Sequence, residues 1–238
     1  MPRTIVVFAT LAVINAGSIS ASQAEPGWSG KSEVGAVITS GNSETQSGNA
    51  KFDTAYELER WKHSFGVAAL VAKDDSGTNA ERYEGRAQSD YQWTEKTFAF
   101  AALRYEDDHY TGFDYQATLT AGLGRKFIDT ETTKLTGQLG AGYRRISVLS
   151  VDGSGQAIAR GDINFEHALT ETTRILEKFL VEAGSYNTFL QNELSLQVNM
   201  SRTLALAVGY AVRHNTDPPL GQRKTDTVST INLVHAFD

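Results

Sequence analysis

Hydrophobic and polar residues alternate along most of this chain, from about residue 28 to its end. In residues 82–93 (RYEGRAQSDYQW), every second residue from Arg82 onward is polar, whereas the other parity carries Tyr83, small residues and Trp93. Successive side chains of a β-strand point to opposite faces, so this segment predicts a strand with one polar and one apolar face. Similar segments recur between turn residues and predict twelve strands. The predicted strands are 28–40, 44–58, 61–73, 80–93, 96–107, 113–127, 132–147, 156–169, 173–185, 188–199, 202–215 and 225–237.

The connectors between these strands alternate in length. The tight connectors are 58–61, 94–95, 128–131, 170–172 and 200–202, and the longer ones include KDDSGTNA, DDHYTG, VLSVDGSGQ and NTDPPLGQRKT. Short turns at one end and longer loops at the other are typical of bacterial outer-membrane barrels, whose short turns face the periplasm. A soluble β-sandwich shows the same alternation, so periodicity alone leaves a soluble periplasmic β protein open.

The placement of aromatic residues favours lipid over a protein core. Tyr83 and Trp93 lie ten residues apart on the apolar face. At about 3.3 Å per residue and a tilt near 40°, this separation projects to roughly 25 Å, the height of a lipid-facing band. Rings of aromatic residues are expected at the two membrane interfaces. The predicted girdle residues are Trp28, Trp61, Tyr83, Trp93, Tyr105, Tyr115, Phe127, Tyr143, Tyr210 and Phe237.

Two of the twelve segments do not alternate cleanly. Segment 96–107 carries apolar residues on both parities, so its register is open. Segment 173–185 has apolar residues at helical spacing, which is compatible with an amphipathic helix. We predict a strand there, because eleven strands would force the barrel to close with a parallel pair.

The N-terminus and the composition set the compartment and exclude several classes. An apolar run at 5–14 and a small-residue stretch after it predict a signal peptide at 1–24, which leaves a barrel at 25–238. The formal charge is -6, or -7 without the positive charge of Arg3, so no basic surface indicates nucleic-acid binding. Cysteine is absent, which excludes disulfides and thiolate chemistry. No later segment approaches the roughly 18 apolar residues of a membrane helix, and no cofactor is indicated.

Five stretches in this order resemble one proteobacterial outer-membrane family: WSGKSEVGAVITSGNSET (28–45), AERYEGRAQSDYQW (80–93), RYEDDHYTGFDYQ (104–116), AGLGRKF (121–127) and GAGYRR (140–145). The family is catalogued as domain of unknown function 481, and its members are often labelled salt-induced outer membrane proteins. The resemblance implies an outer-membrane barrel with no assigned activity and no catalytic residues. The partners expected of such a barrel are outer-membrane lipid, lipopolysaccharide and the barrel-assembly machinery, and short loops favour a monomer.

In a barrel, the polar row of residues 82–93 faces the lumen together with charged residues of other strands. The predicted lumen-lining residues are Arg82, Glu84, Arg86, Asp90, Asp114, Lys126, Arg144, Arg160, Asp162, Glu193 and Arg213. Both signs occur in similar numbers, so the charges can pair across strands. Two interpretations stay open: a salt-bridged plug in a structural or envelope-stress barrel, and a narrow pore for ions or small solutes. Twelve strands fall between filled and open barrels.

Two other chemistries compete with this interpretation. The cluster Glu106-Asp107-Asp108-His109 could offer oxygens to a divalent cation, but its spacing matches no calcium loop, and we predict a solvated loop and no metal. A lipid hydrolase would need a serine beside an oriented histidine. No G-x-S-x-G motif occurs, so no catalytic residue is predicted.

Overall fold

The computed structural model describes residues 27–39, 45–73, 79–108, 113–148, 151–219 and 222–238, so the predicted signal peptide lies outside the described residues. The described residues form twelve antiparallel strands in one closed barrel, in which each strand pairs with its sequence neighbours and the first strand pairs with the last. The predicted all-β barrel of twelve strands is confirmed. No helix in this part of the chain is long and apolar enough to span a membrane.

The strands are β1 (Gly27–Thr39), β2 (Thr45–Leu58), β3 (Trp61–Lys73), β4 (Asn79–Gln92), β5 (Thr97–Asp108), β6 (Phe113–Asp129), β7 (Thr133–Val148), β8 (Val151–Ala168), β9 (Thr173–Gly184), β10 (Thr188–Asn199), β11 (Leu204–Asn215) and β12 (Thr225–Phe237).

The barrel has two unlike ends. The turn end holds the start of β1, the end of β12 and five tight connectors, and the opposite end is the loop end. Three turn-end connectors begin with the motif T-E-x-T, at Thr94, Thr130 and Thr170. In each, the threonine hydroxyl accepts a hydrogen bond of 3.0 Å from the backbone N–H three residues later. Such local bonds satisfy the backbone of a tight turn, which fixes the register of the strands that it joins.

The outward face of the barrel is apolar, whereas most polar side chains point inward. Large exposed apolar side chains on this face include Leu119, Leu139 and Val208. In the same strands the alternate residues are buried, among them Thr120 and Gln138. An apolar exterior around a polar interior is the pattern of a barrel surrounded by lipid.

Strand β5 points two phenylalanines into the barrel, which settles the register that the sequence leaves open. Phe98 and Phe100 are about 5% and 4% exposed, and Leu103 and Tyr105 face outward. Glycines of the neighbouring strands leave room for these rings. A Cβ on Gly124 would lie 2.2 Å from Cζ of Phe98. Apolar side chains therefore line part of the lumen near the turn end. Because β5 carries apolar residues on its inward face as well as its outward face, its sequence does not alternate between polar and apolar residues.

Segment 173–185 is a strand, as predicted, and its helical spacing has a simple cause. Ile175 and Phe179 lie on the outward parity of β9, whereas Leu176 and Leu180 share the inward parity with the buried Glu182. Apolar residues on both faces of a strand imitate the i, i+1, i+4 spacing of a helix.

The β7–β8 hairpin is longer than the sequence predicts. The predicted loop 148–156 is wrong over most of its length, because β8 begins at Val151 and Val148 pairs with Val151. Pairing continues down the hairpin after one irregularity between Ile146 and Val148. Backbone pairing thus overrides the turn preference of the Asp-Gly-Ser-Gly run in this segment.

Candidate functional site

The most constrained part of the lumen is a group of charged side chains at the loop end, here named the loop-end plug. It contains four arginines and four carboxylates, so its formal charge is zero. Its members are Arg82, Glu84, Arg104, Glu106, Asp108, Arg144, Glu182 and Arg213. Each arginine has a carboxylate oxygen within 4.0 Å, and the side chains of Glu106, Asp108, Arg144 and Glu182 are at most 2% exposed.

The plug crosses the whole lumen. Arg213 on β11 donates to both carboxylate oxygens of Glu106 on β5, at 2.6 and 2.7 Å. Six steps separate β5 from β11 in either direction around the barrel, so the two strands lie diametrically opposite each other. The bidentate ion pair therefore joins opposite walls of the barrel at this level.

An aromatic ring fills the space beside this contact. Phe189 of β10 is 2% exposed, and the guanidinium carbons of Arg104 and Arg213 lie 4.9 and 5.0 Å from its ring centroid. Arg104 also contacts Glu106 and, at 3.2 Å, Glu84. Stacking of two guanidinium groups on one ring holds them in place while they pair with carboxylates.

The β9–β10 connector is tied to the plug from above. Arg144 donates to the backbone carbonyl oxygen of Asn187, whose side-chain amide donates to Asn215 at 2.8 Å. The amide oxygen of Asn187 accepts from the backbone N–H of Asp217 at 3.0 Å. This connector is short although it lies at the loop end, and its bonds link β7, β10 and β11 above the arginines.

A second group of charges lies midway along the lumen and is named the mid-lumen ring. Its members are Lys31, Glu33, Lys51, Asp53, Arg86, Lys178 and Glu193. Arg86 pairs with Asp53 at 2.6 Å and Lys31 with Glu33 at 2.7 Å. The ring borders a lumen cavity of about 430 Å³ that extends toward the turn end. The loop-end plug therefore lies on the loop-end side of this cavity.

Nine of the eleven predicted lumen residues occupy three levels of the barrel. Arg82, Glu84, Arg144 and Arg213 belong to the plug, and Arg86 and Glu193 belong to the ring. Nearer the turn end, Arg160 donates to Asp162 at 3.1 Å, and Asp90 accepts from Gln88 at 2.8 Å.

Two predicted lumen residues lie apart from both charge groups. Asp114 accepts a hydrogen bond of 3.4 Å from Ser147, and Lys126 pairs with Asp129 at 3.5 Å beside an irregularity in β6. Their local partners lie on β6 itself or on the adjacent β7.

The residues that sequence reasoning missed are mostly in β5 and β9. Glu106 and Asp108 were predicted to lie in a solvated acidic loop, and this is wrong because both are 1% exposed within β5. The sequence signal for these residues is the i, i+2 spacing of Arg104, Glu106 and Asp108. This spacing indicates a shared inward face only if the register of β5 is known. His109 lies outside the described residues. Among the described residues, no group of three or more histidine or acidic side chains is placed to hold a metal ion.

One histidine does lie beside a serine, which the sequence did not predict. His63 Nδ1 is 2.9 Å from Ser89 Oγ on the outward face. His167 with Thr133 and His214 with Thr225 show the same cross-strand contact at 2.8 Å. Because all three pairs are direct register partners, a cross-strand bond near the rim explains them without catalysis.

The predicted girdle residues lie on the outward face or at its rim. Eight of the ten are exposed. The other two are half-buried against rings of adjacent residues: Tyr115 stacks on Tyr105 at 5.9 Å, and Phe237 stacks on Phe52 at 6.0 Å.

Comparison with known proteins places this barrel in a family. A family model described as "Protein of unknown function, DUF481" matches residues 32–237. The chain belongs to the DUF481 family. The resemblance inferred from the sequence is thereby confirmed. A relative of this DUF481 chain is the uncharacterized protein YdiY of Escherichia coli (strain K12), which is 24% identical over 214 residues, 87% of this chain and 82% of the relative.

Solved structures similar to the DUF481 barrel are outer-membrane proteins. The NanC porin has 8% identity and a TM-score of 0.55, with 87% of this chain and 99% of the porin covered. An outer membrane channel from Pseudomonas putida F1 has 11% identity and a TM-score of 0.55, with 91% and 97% covered. At these identities the likeness shows the shared barrel fold.

Proposed function

We propose that this protein is an outer-membrane β-barrel with a structural role in the cell envelope and a lumen that does not conduct at rest. The observation that carries the proposal is the bidentate Arg213–Glu106 contact between opposite walls. The turn end faces the periplasm in this proposal, and the aromatic girdle contacts membrane lipid and lipopolysaccharide. The barrel-assembly machinery is the proposed partner during insertion. No enzymatic activity is assigned.

The second candidate is a narrow pore for ions or small solutes. The cavity of about 430 Å³ below the plug favours it, because a purely structural barrel does not require a hollow half. The two candidates differ in whether the plug opens under conditions that the barrel meets in a membrane.

We expect the purified barrel to be electrically silent in a planar lipid bilayer. In this proposal the charges paired across the lumen interrupt the water column, so current at several hundred millivolts should stay at the baseline. Single-channel recording measures this directly. Discrete conductance steps from a homogeneous preparation would contradict the structural role and support the narrow pore.

Replacing one polar pair on the outward face is expected to stabilise the barrel. Glu177 is exposed on this face, and Asn192 donates to it at 3.0 Å. Carboxylates and amides are unfavourable against hydrocarbon, so the E177L/N192L variant should gain about 1 kcal/mol in free energy of unfolding. Urea titration in lipid vesicles measures the gain. E59L, in an exposed turn, is the control and should show no gain. A loss of stability with dissociation of an oligomer would contradict the monomer that the sequence favours.

A further inference from the structure

Lys178 is a cation without a paired carboxylate in the middle of the lumen. It lies on the inward parity of β9 between Leu176 and Leu180, and it lines the lumen cavity beside other members of the mid-lumen ring. Its side chain is exposed to this internal space. Within the part of the chain that the structure describes, Lys178 forms no ion pair within 4.0 Å and no hydrogen bond.

The charged neighbours of Lys178 already have other partners. Arg86 and Lys31 lie close enough to repel it, and Glu193 and Asp53 close enough to attract it. Asp53 accepts from Arg86 at 2.6 Å, and Glu193 lies 3.8 Å from Lys51. Four cations and three carboxylates therefore make up the mid-lumen ring, which leaves a formal charge of +1 around the cavity.

We infer that the mid-lumen ring binds a small phosphate or carboxylate anion, with Lys178 as its main contact. An anion there would neutralise the remaining positive charge in an enclosed space, where charge attraction is stronger than in bulk water. Arg86, whose side chain is 37% exposed, can add donors on the opposite side of the anion. The cavity extends toward the turn end, which gives the anion a route of entry from that side.

This inference rests on the proposed barrel but not on its conductance. Binding at the ring requires an accessible turn end, whether or not the plug ever opens. A barrel that conducts at rest would refute the proposed structural role and leave the anion site intact. A silent barrel without an anion site would refute the anion site and leave the proposed structural role intact.

Calorimetric titration of the folded full-length barrel in detergent, with inorganic phosphate or acetate as the probe, tests the inference. We expect saturable binding of one anion per barrel at low ionic strength. K178Q should weaken binding by about tenfold or more, because it removes a charge-assisted hydrogen bond. K178R keeps the charge and should retain most of the affinity. K62Q is the matched control, because it removes a cation at the turn end that pairs with Glu57 at 2.6 Å, and it should change the affinity less than about twofold.

A second measurement needs no substitution and covers the case in which K178Q does not fold. Phosphate should protect Lys178 from an amine-reactive acylating reagent, as read by peptide mass spectrometry, while Lys62 reacts at an unchanged rate. Absence of saturable binding would overturn the inference. Equal losses of affinity in K178Q and K62Q, or equal protection of both lysines, would also overturn it, because either result would indicate a diffuse lumen potential instead of a site.

Discussion

Replacing Arg213 with alanine is expected to open a cation-selective path through the barrel, and replacing Glu106 with glutamine an anion-selective one. R213A leaves the loop-end plug with three arginines and four carboxylates. E106Q leaves it with four arginines and three carboxylates. A constriction lined by an excess of one sign favours permeant ions of the other sign. Reversal potentials in asymmetric potassium chloride should therefore have opposite signs for the two variants, and the unsubstituted barrel should stay silent.

The same substitutions are expected to lower stability. Arg213 is 8% and Glu106 1% exposed as side chains. Removal of one partner from a buried ion pair costs about 3–5 kcal/mol when the remaining charge stays buried without compensation. In R213A, Glu106 keeps Arg104 and Asp108 keeps Arg82 as partners, so we expect a loss at or below the lower end of this range. Urea unfolding in detergent, followed by tryptophan fluorescence, measures the loss.

R174A is the matched control for these experiments. Arg174 pairs with Glu166 at 2.7 Å at the turn end, and its side chain is 44% exposed. An exposed pair of this kind contributes about 0–1 kcal/mol, so R174A should be silent and nearly as stable as the unsubstituted chain. Folded R213A and E106Q barrels that both remain silent would show that the Arg213–Glu106 contact does not close the lumen.

The strand count and the outward aromatic residues could be predicted because both depend on local periodicity, and the closed barrel could be predicted from the alternating connector lengths and the placement of aromatic residues. In β4, the inward residues are polar and the outward residues are small or aromatic, so parity alone separates the two faces. In β5 and β9, apolar side chains such as Phe100 and Leu180 point into the lumen, and parity loses its meaning. Register then depends on contacts with neighbouring strands, which a single sequence does not contain.

The plug could be predicted only in part for a related reason. Parity identified Arg82, Glu84, Arg144 and Arg213 as inward, but it could not show which of them meet. Arg213 and Glu106 are 107 residues apart, and their contact follows from closure of the barrel and the stagger of its strands. The residue pattern along one strand does not show how the barrel closes or how its strands are staggered.

Adding a single methyl group at Gly142 is expected to destabilise the barrel strongly. A Cβ at this position would lie 2.0 Å from the carbonyl oxygen of Leu119 and 2.7 Å from Cα of Thr120, both on β6. These are backbone atoms, so no side-chain rotation relieves the overlap and the two strands must separate locally. Overpacking of this kind costs about 1–3 kcal/mol and occasionally more, and we expect G142A to lie at the upper limit or to fail to fold.

G85A adds the same methyl group at an open position and is the matched control. A Cβ on Gly85 would meet no atom within 4 Å, and alanine loses less conformational freedom on folding than glycine. We therefore expect G85A to be as stable as the unsubstituted chain or slightly more stable. The temperature at which the folded form is lost on a heat-modifiability gel, together with urea unfolding, measures both variants. Equal stability of G142A and G85A would show that β6 and β7 do not approach as closely at Gly142 as the structure places them.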